Sequence, residues 1–242
     1  MAKKSKEPFS MPDLFDRQET NALKASAPLA ERMRPMRLKD FVGQEHLLGP
    51  GAPLRKMIEA DEIPSMILWG PAGSGKTTLA HVIAHKTSRI FHFFSAVLSG
   101  VKEVREIVEK AQQDLKYHGK QSLLFVDEIH RFNKAQQDAF LPHIEKGTVT
   151  LIGATTENPS FEVIGPLLSR AKVFVLKPLE EKDLSLLVDR ALADSERGLG
   201  NQSLTLDPEA KELLVSASEG DARRMYNTLE VAASLASTKD HR

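Results

Sequence analysis

Short, nearly uninterrupted apolar blocks alternate along this chain with longer stretches whose apolar positions recur every three to four residues. The blocks are SMILWG (65–70), RIFHFFSAV (89–97), SLLFVD (122–127), VTLIGATT (149–156) and AKVFVLKPL (171–179). Their length and their β-branched and aromatic content predict buried strands, the fifth broken by Pro178. The periodic stretches between them predict helices. KTTLAHVIAHKT (76–87) carries apolar residues at 79, 82, 83 and 84. VKEVREIVEKAQQDLKYHG puts Val101, Val104, Ile107, Val108, Ala111 and Leu115 on one face and ends in glycine. APLRKMIEA predicts a short helix before the first strand, and KAQQDAFLPHIEKG (134–147) a single helix before the fourth.

Uniformly apolar strands separated by helices predict an α/β fold, a parallel five-stranded sheet covered on both faces. After Pro178 the alternation stops. EEKDLSLLVDRALADSER, DPEAKELLVSAS and DARRMYNTLEVAASLAS predict helices with no strand between them. The chain therefore divides into a polar, weakly periodic tail (1–27), an α/β domain (28–176) and a small all-α domain (177–242). The end, ASTKDHR, follows a helix directly, as in a fragment.

Composition narrows the setting without naming a function. The 242 residues suffice for a sizeable core, and 33 basic residues balance 33 acidic ones. Zero net charge neither requires nor excludes nucleic acid, since only a local basic face would matter. The absence of cysteine excludes disulfides, thiolate nucleophiles and cysteine zinc sites. The basic start MAKKSKEPFS lacks the apolar core of a secretory signal, and no run approaches a membrane span. A cytoplasmic, reducing setting is expected.

Candidate chemistry sits where strands end. GPAGSGKT (70–77) fits G-x-x-x-x-G-K-[ST] between a predicted strand and a predicted helix, the context that motif needs. Gly70, Gly73 and Gly75 would let the backbone, with Pro71, Ala72 and Ser74, approach phosphate closely at a helix N-terminus. Lys76 would reach the β- and γ-phosphates of ATP, and the Thr77 hydroxyl would bind Mg²⁺. The strand LLFVDEIHRF (123–132) runs into Asp127 and Glu128. An enzyme with such a loop needs a carboxylate near Mg²⁺ at a neighbouring strand end. Asp127 is placed for that, and Glu128 to polarise the attacking water. Adjacent strand residues face opposite ways, so the division of labour requires the strand to end there.

GPAGSGKT, LLFVDEIHRFNKAQQDAFLPHIE, GATTENPSFEV, LLSR and GDARR together resemble an AAA+ ATPase of the clamp-loader clade. More closely, with PLAERMRP…DFVGQEHLLG and SAVLSGVKEVRE, they resemble the replication-associated recombination protein A family, bacterial relatives of the Werner-helicase-interacting ATPase. The resemblance spans about residues 28–235. It implies a P-loop core with a helical lid, a DNA-dependent Mg²⁺-ATPase acting at stalled replication forks, and a nucleoid-associated place in the cytoplasm. It also implies residue roles. Asn158 or Thr156 would sense the γ-phosphate; an ungapped count back from LLSR favours Asn158, towards which the reading leans, and the strand alignment favours Thr156. Arg170 would be an arginine finger acting on a neighbouring subunit's ATP, and Arg223, adjacent to Arg224, a second sensor. The stretch from Arg34 to Val42 would flank the adenine, with Phe41 and Val42 in apolar contact. Ser95 would hold Glu128 inactive until DNA binds. Family members are nearly twice this length and tetramerise through a C-terminal helical region, so homo-oligomerisation is an expectation for the longer form. An ATP-gated module recruiting partners, a clamp-loader subunit and a branch-migration ATPase are the rival functions.

Other features carry less. His81 and His85 stand four apart on a helix without a third ligand, and they are read with His130 and His143 as structural. SMPDLF (10–15) slightly resembles peptides that bind sliding clamps, with Leu14 and Phe15 as its apolar end. Single-strand-binding protein is a further candidate partner.

Overall fold

The structure, a computed structural model, describes residues 27–96 and 101–236. Leu14 and Phe15 lie outside the described residues. Helix α1 (Leu29–Arg32) is followed by α2 (Glu45–Leu48), α3 (Pro53–Glu59), β1 (Met66–Trp69) and α4 (Lys76–Lys86). Then come β2 (Ile90–Ser95), α5 (Val101–His118), β3 (Ser122–Asp127), α6 (Lys134–Asp138), α7 (Leu141–Glu145) and β4 (Val149–Thr155). The remainder is α8 (Pro159–Glu162), α9 (Gly165–Leu168), β5 (Lys172–Val175), α10 (Glu181–Ala193), α11 (Pro208–Ala217) and α12 (Ala222–Leu235).

The five strands form one parallel sheet in the order β2-β3-β4-β1-β5. Alternation along each strand serves two cores. Leu123 and Phe125 of β3 join Met66 and Leu68 of β1 under Leu54, Ile58, Leu79 and Ile83 from α3 and α4. Leu124 and Val126 point the other way, with Ile67 and Leu151, towards Val104 and Ala111 of α5 and Phe140, Val163 and Leu167. Covering both faces is what allows strands without polar alternation.

Two predicted elements come out differently. The single helix expected over 134–147 is two, because Pro142 has no N–H to donate and its ring would clash with the carbonyl of Asp138 in a continuous helix. The fifth strand stops at Val175, short of Pro178.

The last helices pack around a core of their own, with Leu184, Val188, Leu214, Val215, Met225 and Leu229. Leu29 and Met33 belong to this core, although they precede the sheet in sequence. Glu230 on α12 fixes them there: its carboxylate accepts the Leu29 N–H at 3.0 Å and pairs with Arg32 at 3.2 Å. The described residues thus begin on the helical unit, cross to the sheet over 34–44, and return at 176–180.

Candidate nucleotide site

In parallel sheets the carboxyl ends of the strands are where loops converge and ligands bind. Here β4 lies between β1 and β3. The loop after β1, the tip of β4 and the acids after β3 are therefore neighbours. They open into a cleft of about 1070 Å³ between the sheet and the C-terminal helices. Ala72, Gly73, Ser74, Gly75, Lys76 and Thr77 form its floor, Asp127, Glu128 and Thr156 one end. Gly70 and Pro71 stand just behind that floor, where the Gly70 N–H donates to the Thr155 carbonyl at 3.2 Å.

The glycines are required by space as well as by conformation. Gly73 has φ +66°, and a Cβ there would sit 1.9 Å from Asp221 Oδ1 at the start of α12. Gly75 has φ +98°, and its Cβ would meet the Phe41 ring at 2.9 Å. The loop is pressed between the segment that carries Phe41 and the last helix. Gln44, buried, locks this arrangement: its amide donates to Lys177 O at 2.7 Å and Ser74 O at 3.3 Å and accepts from Lys177 N at 2.9 Å.

Lys76 begins α4 and is only 7% exposed. Its ammonium donates to the Gly70 and Pro71 carbonyls, both at 2.8 Å. Burial pushes its pKa down, Glu128, Asp127 and Asp221 oppose that, and Arg223 adds to it. Four of the predicted charged groups, Lys76, Asp127, Glu128 and Arg223, thus share one electrostatic site. A polyphosphate would restore the charge balance that burial disturbs.

β3 ends at Asp127, and Glu128 takes a left-handed conformation (φ 54°, ψ 49°) before a 3-10 turn at Ile129–Arg131. The break frees Glu128 from strand alternation, so both carboxylates line the cleft. Asp127 and the Thr77 hydroxyl are hard oxygen donors beside the phosphate loop. Two protein donors suit Mg²⁺, which fills its octahedron with water and substrate phosphates. No group of three or more His, Cys, Asp or Glu among the described residues forms a site for a metal by itself. His81 packs instead against Phe91 and Phe93, with ring centroids 5.2 and 6.2 Å away.

The other predicted residues separate. Thr156 lines the cleft; Asn158 does not, and its side chain caps α8 by accepting the Ser160 N–H at 3.0 Å. Arg223 lines the cleft, whereas Arg224 turns away to Glu219 at 3.0 Å. Phe41 and Val42 are wall residues, as is Arg34. Ser95 stands opposite Asp127 in register and makes no hydrogen bond to Glu128 among the described residues. Arg170 lies outside its own chain's cleft, held by Glu145 at 2.7 Å and Pro166 O at 2.7 Å. Sequence reasoning missed Arg190, Tyr226 and Asn227, which face the cleft from the helical side. Only the apolar period of their helices was visible, and that says which face is buried, not which edge meets a ligand.

Residues 66–179 match the family described as ATPase family associated with various cellular activities (AAA). Replication-associated recombination protein A of Escherichia coli K12 is 54% identical over 213 residues, 88% of this chain and 47% of that protein. The Coxiella burnetii protein of the same name is 54% identical over 209 residues, 86% and 47%. ATPase WRNIP1 of Dictyostelium discoideum is 48% identical over 209 residues, 86% and 24%. The chain spans about half the length of the bacterial relatives. Among solved structures, the RuvB Holliday junction branch migration motor of Thermotoga maritima superposes with a TM-score of 0.70 at 29% identity, over 87% of this chain and 69% of that one.

Proposed function

This chain belongs to the AAA ATPases and, among them, groups with replication-associated recombination protein A, and on that premise we propose that it is the core of a DNA-dependent ATP hydrolase acting at stalled replication forks. One observation carries the catalytic part: Lys76, Asp127, Glu128, Thr156 and Arg223 converge on one cleft from four separate segments. ATP would lie with its base among Arg34–Val42 and the C-terminal helices, and its phosphates over the loop. Lys76 would leave its two loop carbonyls for the β- and γ-phosphates. Mg²⁺, held by Thr77 and Asp127, would supply charge neutralisation to the leaving phosphate. Glu128 would orient the attacking water. Thr156 would read the γ-phosphate, since it reaches the cleft, while Asn158 would shape the loop beyond it.

Arg170 would act in trans, because it faces outward from its own cleft; an arginine finger contributes about 10³–10⁵ in rate. That requires a homo-oligomer. The helices from 181 onward would act as a lid whose angle follows the nucleotide and alters the grip on DNA. Sliding clamp, through Leu14 and Phe15, and single-strand-binding protein are the protein partners proposed alongside DNA. The likeness to RuvB favours branch migration as a second reading of the same engine.

The test is steady-state turnover against protein concentration, with and without single-stranded and gapped DNA. Glu128→Gln should bind ATP and not hydrolyse it; near-normal turnover sinks that assignment. Lys76→Ala and Arg170→Ala, each inactive, should restore activity when mixed. Activity independent of concentration and DNA would refute the shared site and the DNA dependence.

A further inference from the structure

Glu128 has one side-chain partner among the described residues: His130 Nδ1, 3.3 Å from its Oε2. The same nitrogen lies 3.0 Å from the Thr155 hydroxyl, which is fully buried at the tip of β4. That hydroxyl is itself shared. It accepts the Glu157 N–H at 3.0 Å and faces the Glu157 carbonyl at 3.2 Å. The Thr155 carbonyl in turn accepts the Gly70 N–H of the phosphate loop. Phosphate loop, strand tip, imidazole and carboxylate form one unbroken chain of contacts.

Hydrogen bookkeeping makes this chain two-state. A neutral imidazole has one donor and one acceptor nitrogen, and a hydroxyl has one hydrogen to give. When the Thr155 hydroxyl donates to Glu157 O, His130 Nδ1 carries its hydrogen and gives it to Thr155 Oγ1, and that N–H dipole lies 3.3 Å from Glu128 Oε2. When the hydroxyl turns to Nδ1, that nitrogen must be the acceptor, and a lone pair then faces the Glu128 carboxylate in place of an N–H. Thr156, next in sequence, is the residue of this strand that faces the cleft.

We propose that His130 is a positioning residue that couples the tip of β4, and so the state of the phosphate site, to the aim of the Glu128 carboxylate. The inference rests on the reading of Glu128 as the water-orienting group. It gives that group a device built from Thr155 and His130, rather than from Ser95.

A double-mutant cycle tests it, with single-turnover hydrolysis of ATP by excess protein and, separately, nucleotide affinity by equilibrium titration. His130→Ala should lower the hydrolysis rate at least tenfold and leave nucleotide affinity within about twofold, because the loss falls on the transition state. His130→Asn, whose amide can stand where Nδ1–H stood, should recover most of that loss. In a Glu128→Gln background, whose slow residual cleavage of ATP is followed over hours in the same single-turnover format, His130→Ala should have no further effect, because a residue acting through another is silent once the other is gone. The proposal is overturned if His130→Ala hydrolyses like the unaltered chain, if Asn and Ala are equally impaired, or if the two substitutions multiply. Near-normal hydrolysis by Glu128→Gln alone would instead overturn the assignment of Glu128.

Discussion

Replacing Gly73 by alanine should damage this protein through a collision that can be sized in advance. The residue sits at φ +66°, a region that costs an L-residue about 1–2 kcal/mol. Its new Cβ would fall 1.9 Å from Asp221 Oδ1 and 2.7 Å from Asp221 Cα. Swinging the Asp221 side chain away sacrifices its cap on the Arg224 N–H, a 2.9 Å bond, at about 1 kcal/mol. The clash with the Asp221 main chain remains, so backbone must move too, at about 1–3 kcal/mol. The whole effect is about 3–6 kcal/mol. Gly147→Ala is the control: its φ is +68°, yet nothing lies within 4 Å of the Cβ position, so only the conformational part applies. Urea unfolding followed by circular dichroism gives both values. Gly73→Ala should exceed Gly147→Ala by about 2–4 kcal/mol and should also weaken ATP binding, since the displaced helix carries Arg223. Equal losses in the two variants would refute the contact between loop and helix as described.

Further outcomes are fixed by the same geometry. Tyr226 is 5% exposed, its hydroxyl has no partner among the described residues, and burial pushes its pKa up to about 12. Tyr226→Phe should therefore stabilise by about 1 kcal/mol in chemical denaturation at neutral pH. From pH 10 to 12 the unfolded tyrosine loses its proton and the folded one keeps it, so the unaltered chain should lose up to about 3 kcal/mol relative to the Tyr226→Phe variant. Lys76, lowered by burial, deprotonates in the fold below its ordinary 10.5. Its burial penalty is present below the folded pKa and relieved as pH rises through it, while its hold on phosphate is lost. ATP affinity of the unaltered chain should fall with pH before 10.5, and that of Lys76→Met should not, as read by titration calorimetry. Gln44→Ala should cost about 1–3 kcal/mol in thermal unfolding, because it strands the Lys177 N–H and carbonyl.

The sheet was legible because each strand is a local apolar run, and the phosphate loop because its glycines, lysine and threonine must be contiguous in sequence. Asp127 and Glu128 stood out as cleft candidates for the same reason: the acids interrupt a run that otherwise reads as buried. What escaped depended on residues far apart. Leu29 and Met33 carry no mark that sends them to helices near the other end of the chain; only the packed core shows it. Asn158 and Thr156 are equally polar in the sequence, and the N-cap of α8 separates them. His130 looked like one more packed histidine, since its meaning lies in two oxygens from different segments. The break at Pro142 was readable from the sequence, but a continuing apolar period hid it.

The double crossing between the two bodies has a mechanical consequence. The helical unit is tied to the sheet by two connectors, 34–44 and 176–180, and Gln44 stitches one to the other at Lys177. Two tethers laid side by side behave like a door's leaf and not like a ball on a string. If the helices swing as the proposed lid, two such tethers would favour opening about one axis over twist. The same stitch reaches Ser74, so the pivot is fastened to the phosphate loop itself. A swing of the helices would then pull through Gln44 on the loop proposed to hold the phosphates.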